Sequence, residues 1–179
     1  MWPTLVLIAL VIVVFVLYNA LVRLKVQAES AWSDIDVQLK RRYDLIPNLV
    51  ETVKGYAGHE RETLEAVVAA RSQAMSAQGP AEKGQAENVL TGTLKSLFAL
   101  SESYPQLRAA ENFSALQASL SSIEDSIQNA RRYYNAVVRD LNTRILQFPS
   151  NLIARSFGFK EREFFEIAEG DRSVPEVRF

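Results

Sequence analysis

The sequence predicts an all-α protein in which an N-terminal transmembrane helix continues into an antiparallel bundle of long helices. Residues 1–22 contain no charged side chain. Apolar residues then recur at spacings of three and four from Leu24 to Val53, and again from Phe113 to Phe148, the pattern of a buried helical stripe. No stretch alternates convincingly enough to indicate a strand.

The opening segment, "MWPTLVLIALVIVVFVLYNALV", is long enough for a span, since about 20 apolar residues cross a hydrocarbon core of roughly 30 Å. Thr4 to Val22 therefore reads as a membrane anchor. A cleaved signal peptide would bring a basic leader, a shorter apolar run and small residues at the cut, and none of these is present. Arg23 and Lys25 flank the span on its C-terminal side, whereas the N-terminal side carries no Lys or Arg. That asymmetry places the amino terminus outside and the larger part of the chain in the cytoplasm. The predicted organisation is an anchor at 1–22, a bundle at 23–148 and a phenylalanine-rich tail at 149–179.

Beyond the span, Leu24, Ala28, Trp32, Ile35, Leu39, Tyr43, Ile46, Val50 and Val53 form one stripe continuous with the anchor. Pro47 interrupts it, because proline has no amide hydrogen and its ring clashes with the carbonyl of Tyr43. Either the helix kinks there, which the unbroken phase favours, or a new helix starts with Asp44 as cap. A second helix is expected over Glu60 to Met75, with Leu64, Val67, Val68 and Met75 inward and Arg71 beside them. "QGPAEKGQAEN" reads as a loop, and Val89, Leu90, Thr93, Leu94, Leu97 and Phe98 as the inner face of a third helix ending before Pro105. The last long helix, Gln106 to Gln147, carries a nearly heptad seam and would measure about 60 Å. Five of the nine phenylalanines, Phe157, Phe159, Phe164, Phe165 and Phe179, lie in the tail, which should therefore dock on its own bundle or on a neighbouring molecule.

The absence of cysteine rules out disulfides, thiolate catalysis and cysteine-ligated metals. Lys and Arg number 20 against 21 acids, without the basic excess that nucleic-acid phosphates demand, so no nucleic acid is expected as a partner. His59-Glu60 lacks the second histidine of a zinc-protease motif, since position 63 is Thr63, and one histidine cannot build a diiron bundle site. No G-x-S-x-G elbow or phosphate loop occurs. No catalytic residue, cofactor or metal is therefore expected, although a hydrolase using Asp34, Asp36, Asp44 or His59 stands as the alternative, beside a sensor that signals through Pro47. Asp34 and Asp36 lie on different helix faces, and Asp34, Gln38 and Arg41 or Arg42 have the spacing of solvated surface pairs or of an intersubunit contact. Lys40, Arg41 and Arg42 stand too far from the span to sense headgroups, since Lys40 lies roughly 27 Å of helix beyond Val22. Arg23 and Lys25 are close enough.

The stretches "YNALVRL", "AWSDIDVQLKRRYDLIPNLVETVKGYAGHE", "LFALSESYPQLRAAENFSALQASLSSIEDSIQNARRYYNAVVRDLN" and "FPSNLIARSFGF" resemble the LemA family of bacterial membrane proteins, from about Tyr18 to Phe165. The resemblance implies a single anchor in the inner membrane and an antiparallel four-helix bundle. It brings no enzymatic activity, cofactor or catalytic residue. Relatives are linked to membrane zinc proteases of the HtpX type, and one branch acts in shaping magnetosome membranes. The expected function is a non-enzymatic scaffold or adaptor that contacts membrane lipid, self-associates, and works either with an HtpX-type zinc protease as partner or in membrane organisation. Its contact surface is expected at Asp34, Asp36, Lys40, Arg41, Arg42, Asp44 and Pro47, with Phe157, Phe159, Phe164 and Phe165 in the tail.

Overall fold

The structure, a computed structural model, describes residues 2–165. Six helices run in the order α1 (Trp2–Ala57), α2 (Arg61–Ser76), α3 (Gly79–Ser101), α4 (Pro105–Arg108), α5 (Glu111–Leu146) and α6 (Ser150–Ser156). No strand occurs among the described residues. Phe179 and the rest of the tail beyond Phe165 lie outside them. Two compact units emerge, one from residues 2–35 with 129–164, the other from 36–128 with Phe165. The long helices α1 and α5 each contribute to both.

In the first unit, the apolar N-terminal residues of α1 are exposed, including Leu5 to Leu10 and Phe15, while Leu21 is buried and the stripe predicted beyond it turns inward at Ala28 and Ile35. Tyr134, Val137, Leu141 and Ile145 of α5 are buried, and the Trp32 and Tyr134 rings lie 5.4 Å apart. The segment after α6 docks on its own unit. The Asn142 side chain accepts from the Arg162 N–H and donates to the Arg162 carbonyl, both at 2.9 Å, so one amide pairs the backbone as a strand neighbour would. Tyr134 donates to the Glu163 carbonyl at 2.9 Å, and the Arg162 guanidinium reaches Glu29 at 2.6 Å. Phe157 and Phe159 pack against Tyr18.

In the second unit, α1 continues through Pro47 without a new start, and Leu39, Tyr43, Ile46 and Val53 keep the predicted phase into the core, although just after the proline Leu49 is the buried residue and the predicted Val50 is only half-buried. The α2 face differs from expectation. Leu64, Val67, Ala70 and Ala74 are buried, whereas Val68 and Met75 are exposed. The small side chains at 70 and 74 are the inward ones, on the helix that packs against α3. The expected loop "QGPAEKGQAEN" is instead mostly the start of α3: only Ala77 and Gln78 separate the two helices. Gly79 takes φ 74° at that turn, a conformation open chiefly to glycine. Pro80 sits in the first helical turn, where its missing donor costs little, and Glu82 accepts from the Gln78 N–H at 3.0 Å. α5 begins at Glu111, not Gln106, because Pro105 opens the separate turn α4. In this unit the seam holds, with Phe113, Leu120 and Ile127 buried, whereas Phe148, predicted as its last residue, lies beyond the end of α5 and is exposed.

Candidate functional site

Proline at position 47 withholds the N–H that would normally bond to the carbonyl four residues back. In the second unit that carbonyl, of Tyr43, accepts a 2.8 Å bond from the Arg71 Nε of α2. A buried carbonyl left without a partner would cost about 1–3 kcal/mol, so Arg71 replaces a backbone bond that the sequence cannot make. The gap in α1 is thus filled from a second helix.

Around this point a polar cluster is buried in otherwise apolar packing. Arg42, only 4% exposed, sends Nη1 to Glu87 of α3 at 3.2 Å and lies 3.0 Å from Glu124 of α5. Its Nη2 donates to Thr91 at 2.8 Å. The Glu124 contact is an ion pair without hydrogen-bond geometry, and Glu124 also accepts from Gln128 at 3.0 Å. The Tyr43 hydroxyl donates to the second oxygen of Glu87. One arginine thereby ties together three helices, and Arg71 brings in the fourth.

Burial pushes Glu87 above the usual carboxylate range, against the opposing pull of Tyr43, Arg42 and Lys83, with Glu124 adding to the rise. Burial, the bond to Glu87 and the charge of Glu87 together push the Tyr43 hydroxyl well above its ordinary value. The proton between them therefore belongs to Tyr43, with Glu87 as acceptor. None of these groups lines the clefts beside Asn19, Tyr18 or Val50. The cluster is built to hold helices in register; buried, paired charges are costly to break singly.

The residues singled out from the sequence are dispersed. Asp34 and Arg41 are exposed. Asp36 stands 4.0 Å from Lys83, and Asp44 pairs with Lys40 at 3.2 Å. Asp36 and Asp44 are separated by about 12 Å of helix rise and do not converge. His59 lies exposed in the turn between α1 and α2. Among the described residues no group of three His, Asp or Glu side chains could hold a metal. Arg42 is the clear departure: spacing alone points to a solvated pair with Asp34 or an intersubunit contact, whereas its partners lie within the chain, 45 residues and more away. Phe165 is buried as well, whereas Phe164 and Phe157 are exposed. Glu87, Thr91 and Glu124 were not singled out at all. The one available signal was Glu87 standing among the inward positions of α3, three residues before Leu90.

Comparison with known proteins places the geometry in context. The family model described as the LemA family matches residues 31–179. The chain is 28% identical to the magnetosome protein MamQ of Magnetospirillum gryphiswaldense, over 94% of this chain and 72% of that protein. It is 27% identical to protein LemA of Metamycoplasma hominis, over 86% of this chain and 71% of that one. With the magnetosome protein MamQ 2 of Paramagnetospirillum magneticum the identity is 25%, over 88% and 68%.

Proposed function

This chain belongs to the LemA family, and we propose that it is a non-enzymatic scaffold or adaptor, anchored in a membrane by residues 4–22 and self-associating through exposed helix faces. The observation that carries the reading is α1, one unbroken helix of 56 residues. Its first part is apolar and exposed, and long enough to cross a membrane. Its second part supplies the core stripe and the arginine that binds the other helices.

In this reading the helices form an antiparallel four-helix bundle on the cytoplasmic side of a bacterial inner membrane, with Arg23 and Lys25 at the inner surface. The exposed side of α1 faces another protein, with Asp36, Lys40, Asp44 and Pro47 along one edge of this ridge and Asp34 and Arg41 along the other. Arg42 serves instead as the internal tie behind that ridge. The charges on the ridge are of mixed sign, which suits a second copy of the same surface related by a twofold axis. A membrane zinc protease of the HtpX type is the heterologous partner that the family resemblance favours, and the likeness to magnetosome proteins favours a role in organising membrane.

The natural chain has no cysteine, so single cysteines report contacts cleanly. Lys40→Cys or Arg41→Cys, treated with a short bismaleimide in native membranes, gives a crosslinked adduct of two copies or of one copy with a partner. A control cysteine at Tyr133 gives none. If neither ridge position crosslinks to anything, the ridge is not a contact surface and the scaffold reading loses its interface.

A further inference from the structure

Within the first unit, the turn between α5 and α6 exposes apolar side chains that have nothing to do with the core. Phe148 is 74% exposed, Leu146 62%, Phe157 57% and Leu152 54%, while Ser150 and Ala154 face inward. α6 itself turns Leu152 outward together with Arg155 and Ser156, so the apolar patch is made by Leu152 with Leu146, Phe148 and Phe157 on the turns at either end of the helix. Arg144 precedes it on the chain, Arg155 lies in its last turn and Lys160 follows it, all exposed.

Two sets of contacts fix the level of this patch along α1. The Phe157 ring centroid lies 4.8 Å from that of Tyr18, and the Phe159 ring 5.8 Å from it. Gly158, at φ +72°, makes the turn that lets both rings reach the same tyrosine. On another side of α1, Gln147 and Arg144 line one cleft with Asn19, Ala20 and Arg23. The α5–α6 turn therefore sits beside residues 18–23, the last turn of the apolar run and the first basic residue after it. Tyr18 stands only roughly 6 Å of helix rise before Val22, the depth at which aromatic belts and interfacial helices lie.

We infer that α6 and the preceding turn are a membrane-interface foot: Phe148, Leu152 and Phe157 insert among lipid headgroups and upper acyl chains, and Arg144, Arg155 and Lys160 meet lipid phosphates. The inference rests on reading residues 4–22 as the span. A side chain in contact with Tyr18 must share its depth, so a bilayer crossed by α1 is the surface this patch meets. Apolar residues with flanking cations are what an interfacial segment requires. A foot beside the span would fix the angle at which α1 leaves the bilayer, which a single spanning helix cannot do alone.

The test uses the full chain in phosphatidylcholine–phosphatidylglycerol vesicles. Single cysteines carrying a nitroxide replace Phe148, Leu152, Val11 in the span, or Val68, an exposed apolar residue on α2. Accessibility to oxygen, which concentrates in hydrocarbon, is compared with that to an aqueous nickel chelate. The expected oxygen-to-nickel ratio at 148 and 152 is severalfold above that at 68 and approaches that at 11. A hydrocarbon reading at 11 with aqueous readings at 148 and 152 overturns this inference alone. Aqueous readings at 11 as well would overturn the span and the foot together. Shielding at 148 with spin–spin broadening that disappears on dilution with unlabelled chain would assign the patch to a second copy, and also overturn it. Phe148→Trp, read against wild type by quenching with lipids brominated in the acyl chain, repeats the measurement with an aromatic side chain in place; quenching supports the foot and its absence opposes it.

Discussion

Replacing Arg42 by methionine keeps the length and apolar character of the side chain while deleting the charge. Its side chain is 5% exposed and that of its partner Glu87 2%, so the substitution strands a carboxylate in a nearly dry place. Removing one member of a buried pair costs about 3–5 kcal/mol. Glu87 relieves part of this by taking a proton, because burial already raises its pKa and loss of the cation raises it further. The folded state then binds a proton that the unfolded state releases, so stability falls as pH rises above the ordinary glutamate value. Arg42→Met should therefore cost about 3 kcal/mol near neutral pH and less near pH 5. The double variant Arg42→Met/Glu87→Gln removes the deeply buried pair and keeps an acceptor for Tyr43, leaving only the partly exposed Glu124 without its cation; it should recover most of the loss and lie within about 2 kcal/mol of wild type, since a missing buried pair is far milder than a broken one. Lys40→Ala, which breaks an exposed pair, should cost no more than about 0.5 kcal/mol. Urea unfolding of the full chain in detergent micelles, followed by far-UV circular dichroism, gives all four values. An Arg42→Met cost below about 1 kcal/mol, the range of a surface pair, or a cost that the double variant fails to relieve, would refute the buried tie.

Arg71→Ala should cost about 1–3 kcal/mol by orphaning the Tyr43 carbonyl, but clearly less in a Pro47→Ala background, where residue 47 regains its N–H; equal losses in both backgrounds would show that Arg71 does not substitute for the missing bond. At alkaline pH the unfolded chain ionises Tyr43 first, because its hydroxyl is held well above the ordinary value, so stability should fall as pH rises past about 10. Tyr43→Phe should flatten that limb, and an unchanged slope in unfolding curves would contradict the assignment. Asn142→Ala deletes both bonds to the Arg162 backbone and should make trypsin cleave after Lys160 or Arg162 severalfold faster in native buffer; an unchanged rate would mean that the docked segment is held by other contacts.

Much of this architecture is legible in the sequence because a helix declares its buried side through spacing. Leu39, Tyr43, Ile46 and Val53 keep their phase across Pro47, and Phe113, Leu120 and Ile127 do so along α5; all are buried. Local spacing fails where a decision is made at long range. Arg42 stands in a run of three basic residues that looks solvated, and only Glu87 and Glu124, on other helices, show why it faces inward. Val68 and Met75 are better hydrophobes than Ala70 and Ala74, yet the close packing of α2 beside α3 takes the small residues inside. Gly79-Pro80 reads as a breaker, and it does end α2, but the same two residues also open α3. Position 47 shows both sides of the problem: the lost bond follows from proline itself, while its replacement by Arg71 depends on the fold.

The scaffold reading stands most directly on whether the intact protein works in company. Extracted from its native membrane into polymer-bounded discs, without detergent, and weighed particle by particle, the chain should appear as assemblies of more than one copy, or of one copy with a stoichiometric protein partner. A population of single, partner-free copies at every expression level would contradict the account.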